Sequence, residues 1–181
     1  FDLPISGDNS AAPTGLSTAQ FLATVSRTDG SRVNSRTGLA QANVFRSLSI
    51  GKSADLQFGR IIRPSSGAGT VALDQATGSV AVTGAGAIAM PAPAPSAAQF
   101  MVSGEGGQAI SVTVPGTFTL NGPVGSITVS TNPNVSGAQT LSGTAGSAGN
   151  LPVRVGGTYS FSSATATGTY VGTFAVTVQY N

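Results

Sequence analysis

The sequence contains no cysteine, no histidine and no tryptophan, and only 8% of its residues are charged, against about 25% in ordinary globular proteins. Without cysteine, disulfides and thiolate metal sites are excluded. Without histidine, a Ser-His-Asp or Cys-His catalytic arrangement is excluded, and the commonest general base near neutral pH is missing. No apolar run approaches the about 18 residues that cross a bilayer as a helix, so we expect no membrane span.

The few carboxylates of the chain are spread singly along it. They are Asp2, Asp8, Asp29, Asp55, Asp74 and Glu105. A glycosidase needs two carboxylates that converge within about 5–10 Å, so we interpret these residues as turn and cap residues. Lys52, the only lysine, lies near Ser49 and Ser53, and we interpret it as a solvated loop residue rather than half of a Ser–Lys dyad. We therefore predict that the protein is not an enzyme and has no catalytic residues, cofactor or metal site.

Glycine, serine, threonine, valine and alanine take the place of the missing charges, with 25 glycines in 181 residues. Such a surface is neutral and rich in hydroxyl groups, which is typical of an extracellular polymer or coat. The sequence begins with Phe1 rather than methionine, which indicates a removed leader. We therefore expect a secreted protein at the extracellular cell surface.

Basic residues are concentrated between positions 27 and 63, where seven stand against two acidic residues. They are Arg27, Arg32, Arg36, Arg46, Lys52, Arg60 and Arg63. The charges are scattered singly among serine and threonine and do not form the aromatic stacking platform of a nucleic-acid-binding surface. We predict no nucleic-acid binding, and retain contact with an acidic polysaccharide as an alternative role for this region.

The last fourteen residues alternate strictly between apolar and polar side chains. The apolar set is Tyr170, Phe174, Val176, Val178 and Tyr180. Because strand side chains point to opposite faces with a period of two, residues 168–181 are predicted to form a half-buried terminal strand. No later segment of the sequence follows to cover its second edge, and a bare apolar edge is a template for pairing with another chain. We predict that this apolar set lines an acceptor groove.

Residues 1–40 differ from the rest and are interpreted as an N-terminal extension. Phe1, Leu3 and Ile5 alternate with polar residues and form a candidate donor strand, although Pro4 removes one hydrogen-bond donor. Residues 16–25 leave two interpretations open. Ser17 with Gln20 resembles a helix capping box, whereas Phe21, Ala23 and Val25 fit a strand that is a second candidate donor.

Residues 41–181 show short alternating runs that are separated by glycine, proline, asparagine and serine, without a helical period. Two hairpins are predicted, one around residues 75–78 and one at Asn121-Gly122, because these residue types tolerate tight turns. The pattern predicts an all-β domain, an immunoglobulin-like, pilin-like β-sandwich, preceded by the N-terminal extension.

The segments 54–59 (ADLQFG), 70–74 (TVALD), 155–158 (VGGT) and 168–181 (GTYVGTFAVTVQYN) resemble a family of secreted bacterial β-sandwich domains described only as a domain of unknown function. The closing strand is also similar to that of archaic chaperone–usher pilins and spore-coat-U-like subunits. In those pilins the sandwich lacks its last strand, and the N-terminal extension of the next subunit fills the gap. The resemblance implies copies of the chain itself as partners, with a periplasmic chaperone and an outer-membrane usher.

Together these observations predict a structural subunit of an extracellular bacterial filament, of the pilus or fimbria kind, that polymerises head to tail by N-terminal donor-strand complementation. The alternative is a monomeric surface or matrix polysaccharide-binding module whose tail completes its own sandwich.

Overall fold

A computed structural model describes residues 15–25 and 34–181, and every regular element in these ranges is a β-strand. The strands are β1 (Gly15–Val25), β2 (Asn34–Val44), β3 (Ser49–Ala54), β4 (Ile61–Ile62), β5 (Ala68–Leu73), β6 (Val80–Val82), β7 (Ile88–Ala89), β8 (Ala98–Glu105), β9 (Ala109–Thr113), β10 (Thr117–Asn121), β11 (Ser126–Pro133), β12 (Gly137–Thr140), β13 (Ala148–Ser162) and β14 (Thr177–Tyr180).

The strands pair antiparallel throughout, and the two larger sheets form a β-sandwich. The larger sheet has the path β10-β11-β13-β5-β6, with β8 pairing to β13 and β3 pairing to β8. The second sheet has the order β12-β9-β14, and β4 and β7 form a short pair of their own. The predicted all-β sandwich fold is therefore confirmed.

The long strand β13 organises the larger sheet. Its first half, up to Val155, pairs with β8, and its second half pairs with β5 on one edge and β11 on the other. Gly156 lies at the change of partner, where an added Cβ would collide with the backbone carbonyl of Leu73 and would lie 2.9 Å from the backbone nitrogen of Gln75. Only glycine permits this close approach of two backbones.

The core lies between the two sheets and is built from small apolar side chains. The larger sheet contributes Val102, Val153 and Val155, and the second sheet contributes Ile110 and Val112, all of them at most 1% exposed. Alternate residues of each strand point inward because side chains follow the period of two. The valine-rich alternation in the sequence is therefore what closes the sandwich.

Both hairpins predicted within residues 41–181 are confirmed. Val71 pairs with Val82 across the β5–β6 hairpin, and Phe118 pairs with Val129 across the β10–β11 hairpin. In the first hairpin, the Asp74 carboxylate accepts hydrogen bonds from the backbone N–H of Ala76 and of Thr77, at 3.0 and 2.8 Å. Asp74 is thus a turn residue, as the sequence predicted.

Strands β1 and β2 form a separate two-stranded hairpin, which we call the arm. Its register runs from the pair Gly15 and Val44 at its base to the pair Val25 and Asn34 at its other end. The alternative left open for residues 16–25 is thereby resolved as a strand. Along residues 35–43 all positions except Gly38 are exposed, with Leu39 60% exposed, so this strand is not packed into the sandwich core.

Within the ranges that the structure describes, no helix has the length and apolar character needed to cross a membrane.

Candidate functional site

The described protein has an open concave site of about 1030 Å³, which we call the groove. Residues 55–63 form one wall and residues 168–174 form the other. The floor and walls present aromatic and aliphatic side chains, among them Phe58, Phe100, Ile127, Tyr159, Phe161 and Phe174. A groove with this lining favours an apolar occupant.

The two walls of the groove carry little regular pairing. Gln57 forms an isolated bridge with Ser96, and Val171 forms one with Asn121. The walls are held mainly by rings: Phe58 packs edge-on against Tyr159 with centroids 5.0 Å apart, and Phe174 lies 4.9 Å from Phe118. No described strand lies between the two walls, so their facing sides are open along the groove.

The closing segment differs from its prediction in extent. Residues 168–181 were expected to form one strand, but only β14 at residues 177–180 is regular, and it pairs on one edge with β9. Residues 172–176 form no regular pairing with a described strand, although Gly172 lies close against Thr119 of β10. The alternation itself is present, because residues 170, 174, 176, 178 and 180 are half-buried while residues 171, 173, 175, 177 and 179 are exposed.

The predicted acceptor residues divide into two groups. Tyr170 and Phe174 line the groove. Val176, Val178 and Tyr180 pack instead against the buried core cluster. On the other edge of β14 no strand of the described protein pairs with it. The groove contains aromatic residues that the sequence analysis did not select, because Phe58, Phe100 and Phe161 are far apart in sequence and only the sheet brings them together.

The predicted donor residues differ in what the structure describes. Phe1, Leu3 and Ile5 lie outside the described residues. Phe21, Ala23 and Val25 belong to β1, where their backbone partners are Gly38, Arg36 and Asn34. One edge of this second candidate is therefore already occupied by β2.

Basic side chains stand along one wall of the groove. Lys52 is paired with Asp55, with Nζ 2.5 Å from Oδ1. Arg63 donates a hydrogen bond at 2.7 Å to the backbone carbonyl of Thr165, which also lines the groove. Arg60 is exposed on the same wall. An apolar floor with a cationic rim therefore describes the site.

A second polar cluster lies at the root of the arm, by which we mean the pair of Gly15 and Val44 at its base and the adjoining Arg46. Glu105, the only buried charged residue in the described part of the chain, has a side-chain exposure of 0%. Its carboxylate accepts hydrogen bonds from the backbone N–H of Gly146 and, at 3.3 Å each, from the backbone N–H and guanidinium of Arg46. The Gly146 N–H foremost, together with Arg46, lowers the pKa of Glu105 although burial opposes the shift.

Two further titratable groups have shifted pKa values: Tyr159, which lines the groove, and Asp74, which lies in the β5–β6 turn. Burial raises the pKa of Tyr159 to about 12, so this phenol stays protonated near neutral pH. The Asp74 pKa is lowered, chiefly by hydrogen bonds from the backbone and side chain of Thr77. In the described ranges, no group of three or more acidic, histidine or cysteine side chains is placed to hold a metal ion.

Comparison with known proteins finds one family. A protein-family model described as Domain of unknown function (DUF4402) matches residues 48–180, which begin just before β3 and end at the last residue of β14. No curated protein and no solved structure matches the chain. The matched range contains both sheets of the sandwich and both walls of the groove, whereas the arm lies outside it. The chain therefore belongs to the family described as Domain of unknown function (DUF4402).

Proposed function

We propose that the protein is a structural subunit of an extracellular bacterial filament, in which the N-terminal segment of one copy fills the groove of the next. The observation that carries this proposal is the open groove between residues 55–63 and 168–174, with its half-buried aromatic lining and no described strand between its walls. Apolar surface left open on this scale marks a binding site for a partner. An extended peptide is the occupant that an elongated gap beside a sheet fits best.

The positions of the arm and the groove support a head-to-tail contact. The root of the arm is held at Glu105, which pairs with Ala148 at the start of β13. The groove is lined by Tyr159 and Phe161 near the end of β13. At about 3.3 Å per residue, roughly 40 Å of strand separates Ala148 from these two rings, although Phe100, which also lines the groove, lies only five residues from Glu105 on β8. A donor tail and an acceptor groove are different parts of the chain, so their contact is heterologous, and such a contact propagates into a fibre rather than closing.

The exposure of the arm supports a neighbouring molecule as its partner. A two-stranded hairpin alone is marginally stable in water. Residues of β2 such as Leu39, at 60% exposure, are not covered by the described sandwich. Assembly with a second copy would supply the missing contacts, and would place the N-terminal segment at the neighbour's surface.

The similarity of the closing strand to those of archaic chaperone–usher pilins and spore-coat-U-like subunits points in the same direction. In those pilins an N-terminal extension completes the sandwich of the next subunit. By this resemblance we propose a secreted, cell-surface filament whose export uses a periplasmic chaperone and an outer-membrane usher.

Insertion of the N-terminal tail into the groove is favoured by the burial of its apolar side chains. Burial of Phe1, Leu3 and Ile5 contributes about 1.5–3 kcal/mol for each side chain, before the cost of ordering the tail. Main-chain hydrogen bonds to the walls add to this, with one donor missing at Pro4.

Deletion of residues 1–10 tests the proposal. We expect the full chain to form filaments in electron micrographs and a ladder of multimers in unheated detergent gels, and the deleted protein to remain monomeric with its sandwich folded. Replacement of residues 6–10 by glycine and serine, which keeps the candidate donor, is the matched control and should still assemble. Filaments formed equally by the deleted protein would contradict the proposal.

One observation favours the alternative of a self-complemented monomer that binds polysaccharide through the basic region 27–63. Gly15 directly follows residues 1–14 in the sequence, and it pairs with Val44 at the root of the arm. Fully extended, fourteen residues span about 46–50 Å, which is enough to reach the groove of the same molecule. A self-complemented monomer would lose thermal stability on deletion of residues 1–10 at every protein concentration, whereas an assembled filament would lose it through dissociation.

A further inference from the structure

We propose that the cationic rim of the groove selects the acidic N-terminal tail of a second copy, with Asp2 of the incoming tail pairing with Arg60 and Arg63. This inference rests on the proposed function, because it requires that the groove accepts a strand. To the proposed function it adds which segment is the donor strand, which register that strand takes in the groove, and which residues select it over the other candidate donor.

The rim has positive charge that the described carboxylates do not neutralise. Lys52 is paired with Asp55 at one part of the wall. Asp74 accepts its hydrogen bonds within a turn, and Glu105 is buried at the root of the arm. The Arg60 side chain forms no hydrogen bond or ion pair with the described residues, and the partner of the Arg63 guanidinium is a neutral carbonyl. The part of the rim at Arg60 and Arg63 therefore fits an anionic group.

The two candidate donors differ in charge. Residues 1–26 contain Asp2 and Asp8 and no lysine or arginine. The segment 21–25 contains no acidic residue and is followed by Arg27, and its backbone is already paired with β2. Charge complementarity therefore favours the first five residues as the occupant, because like charges at the rim would oppose the second segment.

The alternation of the tail sets the register. With a period of two, Phe1, Leu3 and Ile5 face the aromatic floor, and Asp2 faces outward between the first two of them. An outward Asp2 lies at the rim, where Arg60 and Arg63 stand on the wall. The guanidinium of Arg63 donates to the backbone carbonyl of Thr165, another residue of the groove lining, so entry of the tail exchanges a carbonyl partner for a carboxylate, and hydrogen bonds between two charged groups are the stronger ones.

Exposed ion pairs contribute little to equilibrium affinity, so the effect belongs to the rate and specificity of assembly. Screening by salt shortens the range of the attraction from about 10 Å at 0.1 M to about 3 Å at 1 M. Assembly of the full chain should therefore slow as salt is raised, in contrast to assembly that is driven by apolar contacts alone.

Charge reversal in the full chain tests the inference. Filament growth from dissociated protein is followed by light scattering at low salt for wild type, Asp2→Lys, Arg60→Asp and the combined variant. We expect each single reversal to slow growth about tenfold, and the combination to recover most of the wild-type rate. Asp8→Lys carries the same charge change outside the inserted strand, and Arg154→Asp removes an arginine on β13 away from the groove, so both controls should change the rate less than threefold.

The outcomes separate the inference from the proposed function. If the wild type assembles and both single charge reversals grow at the wild-type rate, selection of the tail by charge is overturned and strand donation is left in place. If Asp8→Lys and Asp2→Lys slow growth equally, and the combined variant does not recover, the proposed register of the tail in the groove is overturned. Wild type that forms no multimers under any condition overturns the filament and the inference together. Thermal melts of all variants establish that each is folded.

Discussion

The hydroxyl of Tyr180 donates a hydrogen bond to the backbone carbonyl of Arg46 at 2.9 Å, and so joins the last strand of the sandwich to the root of the arm. The same hydroxyl accepts a hydrogen bond from the backbone N–H of Glu105 at 2.7 Å. Gly104 leaves room for this contact, since a Cβ at that position would collide with the hydroxyl. Residues from three distant parts of the chain are thus held by one oxygen atom.

Tyr180→Phe should lower the free energy of unfolding by about 1–3 kcal/mol, because the ring remains while a buried backbone donor at Glu105 loses its partner. Urea denaturation followed by fluorescence measures the change. Tyr159→Phe is the matched control, since the Tyr159 hydroxyl has no hydrogen-bond partner among the described residues. Equal stability of Tyr180→Phe and wild type would show that the hydroxyl does not hold the arm root.

The protein should lose stability in acid, because the stabilising effect of the Glu105 carboxylate is lost when this group is protonated. Its folded pKa is lowered, chiefly by the Gly146 N–H, so its stabilising effect is fully present above the ordinary carboxyl value of 4.5 and is lost as the pH falls through the lowered pKa. Melting temperatures measured between about pH 6 and pH 3 should therefore fall more steeply for wild type than for Glu105→Gln.

The lowered pKa of Asp74 acts in the same direction, and this residue is unchanged in both proteins. The difference between their two pH profiles therefore isolates Glu105. Parallel profiles would contradict a stabilising role for its charge, whereas a lower melting temperature of Glu105→Gln at neutral pH is expected in either case.

Local features of the chain were predictable from the sequence. The alternation of residues 170–180 predicted which side chains are half-buried, and the residue types at 75–78 and 121–122 predicted two hairpins. These features depend on the period of a strand and on turn chemistry, both of which are short-range properties.

Features that depend on distant contacts were not predictable in the same way. The sequence predicted Glu105 to be a turn or cap residue. In the structure it is buried, because Arg46 and Gly146 converge on its carboxylate and donate hydrogen bonds to it. The continuous strand expected for residues 168–181 is interrupted because a strand needs a neighbour, and which neighbour exists is decided by the whole fold. The groove likewise arises where β13 changes partners and two walls are left unpaired.

Gly172→Ala should displace the wall of the groove formed by residues 168–174. A Cβ at Gly172 would collide with the carbonyl oxygen of Thr119 and would lie 2.9 Å from its carbonyl carbon, and backbone atoms in a strand do not yield easily. We expect a loss of about 1–3 kcal/mol in the free energy of unfolding.

Gly51→Ala is the matched control for this substitution, because a Cβ there would meet no heavy atom within 4 Å. It should change stability by less than about 0.5 kcal/mol. A tolerated Gly172→Ala would mean that the wall shifts at little cost, and that the width of the groove is not determined by the contact with Thr119.

Phe174 and Phe118 should be energetically coupled, because their rings join the irregular wall to the larger sheet. The centroids are 4.9 Å apart, and Phe100 approaches Phe174 edge-on at 6.4 Å. A double-mutant cycle with Phe174→Leu and Phe118→Leu, measured by urea denaturation, should give a coupling of about 0.5–1.5 kcal/mol.

Phe58 provides the control cycle, since its ring packs on Tyr159 at the other wall and no contact with Phe174 is present among the ring pairs of the described residues. Phe174→Leu with Phe58→Leu should be additive within about 0.5 kcal/mol. Because residues 172–176 lack strand pairing, a coupling near zero between Phe174 and Phe118 would leave the bridge at Val171 and the close contact of Gly172 with Thr119 to hold the wall. The wall would then be expected to open without disturbing the sheet, and the two phenylalanines would serve the occupant of the groove rather than the subunit itself.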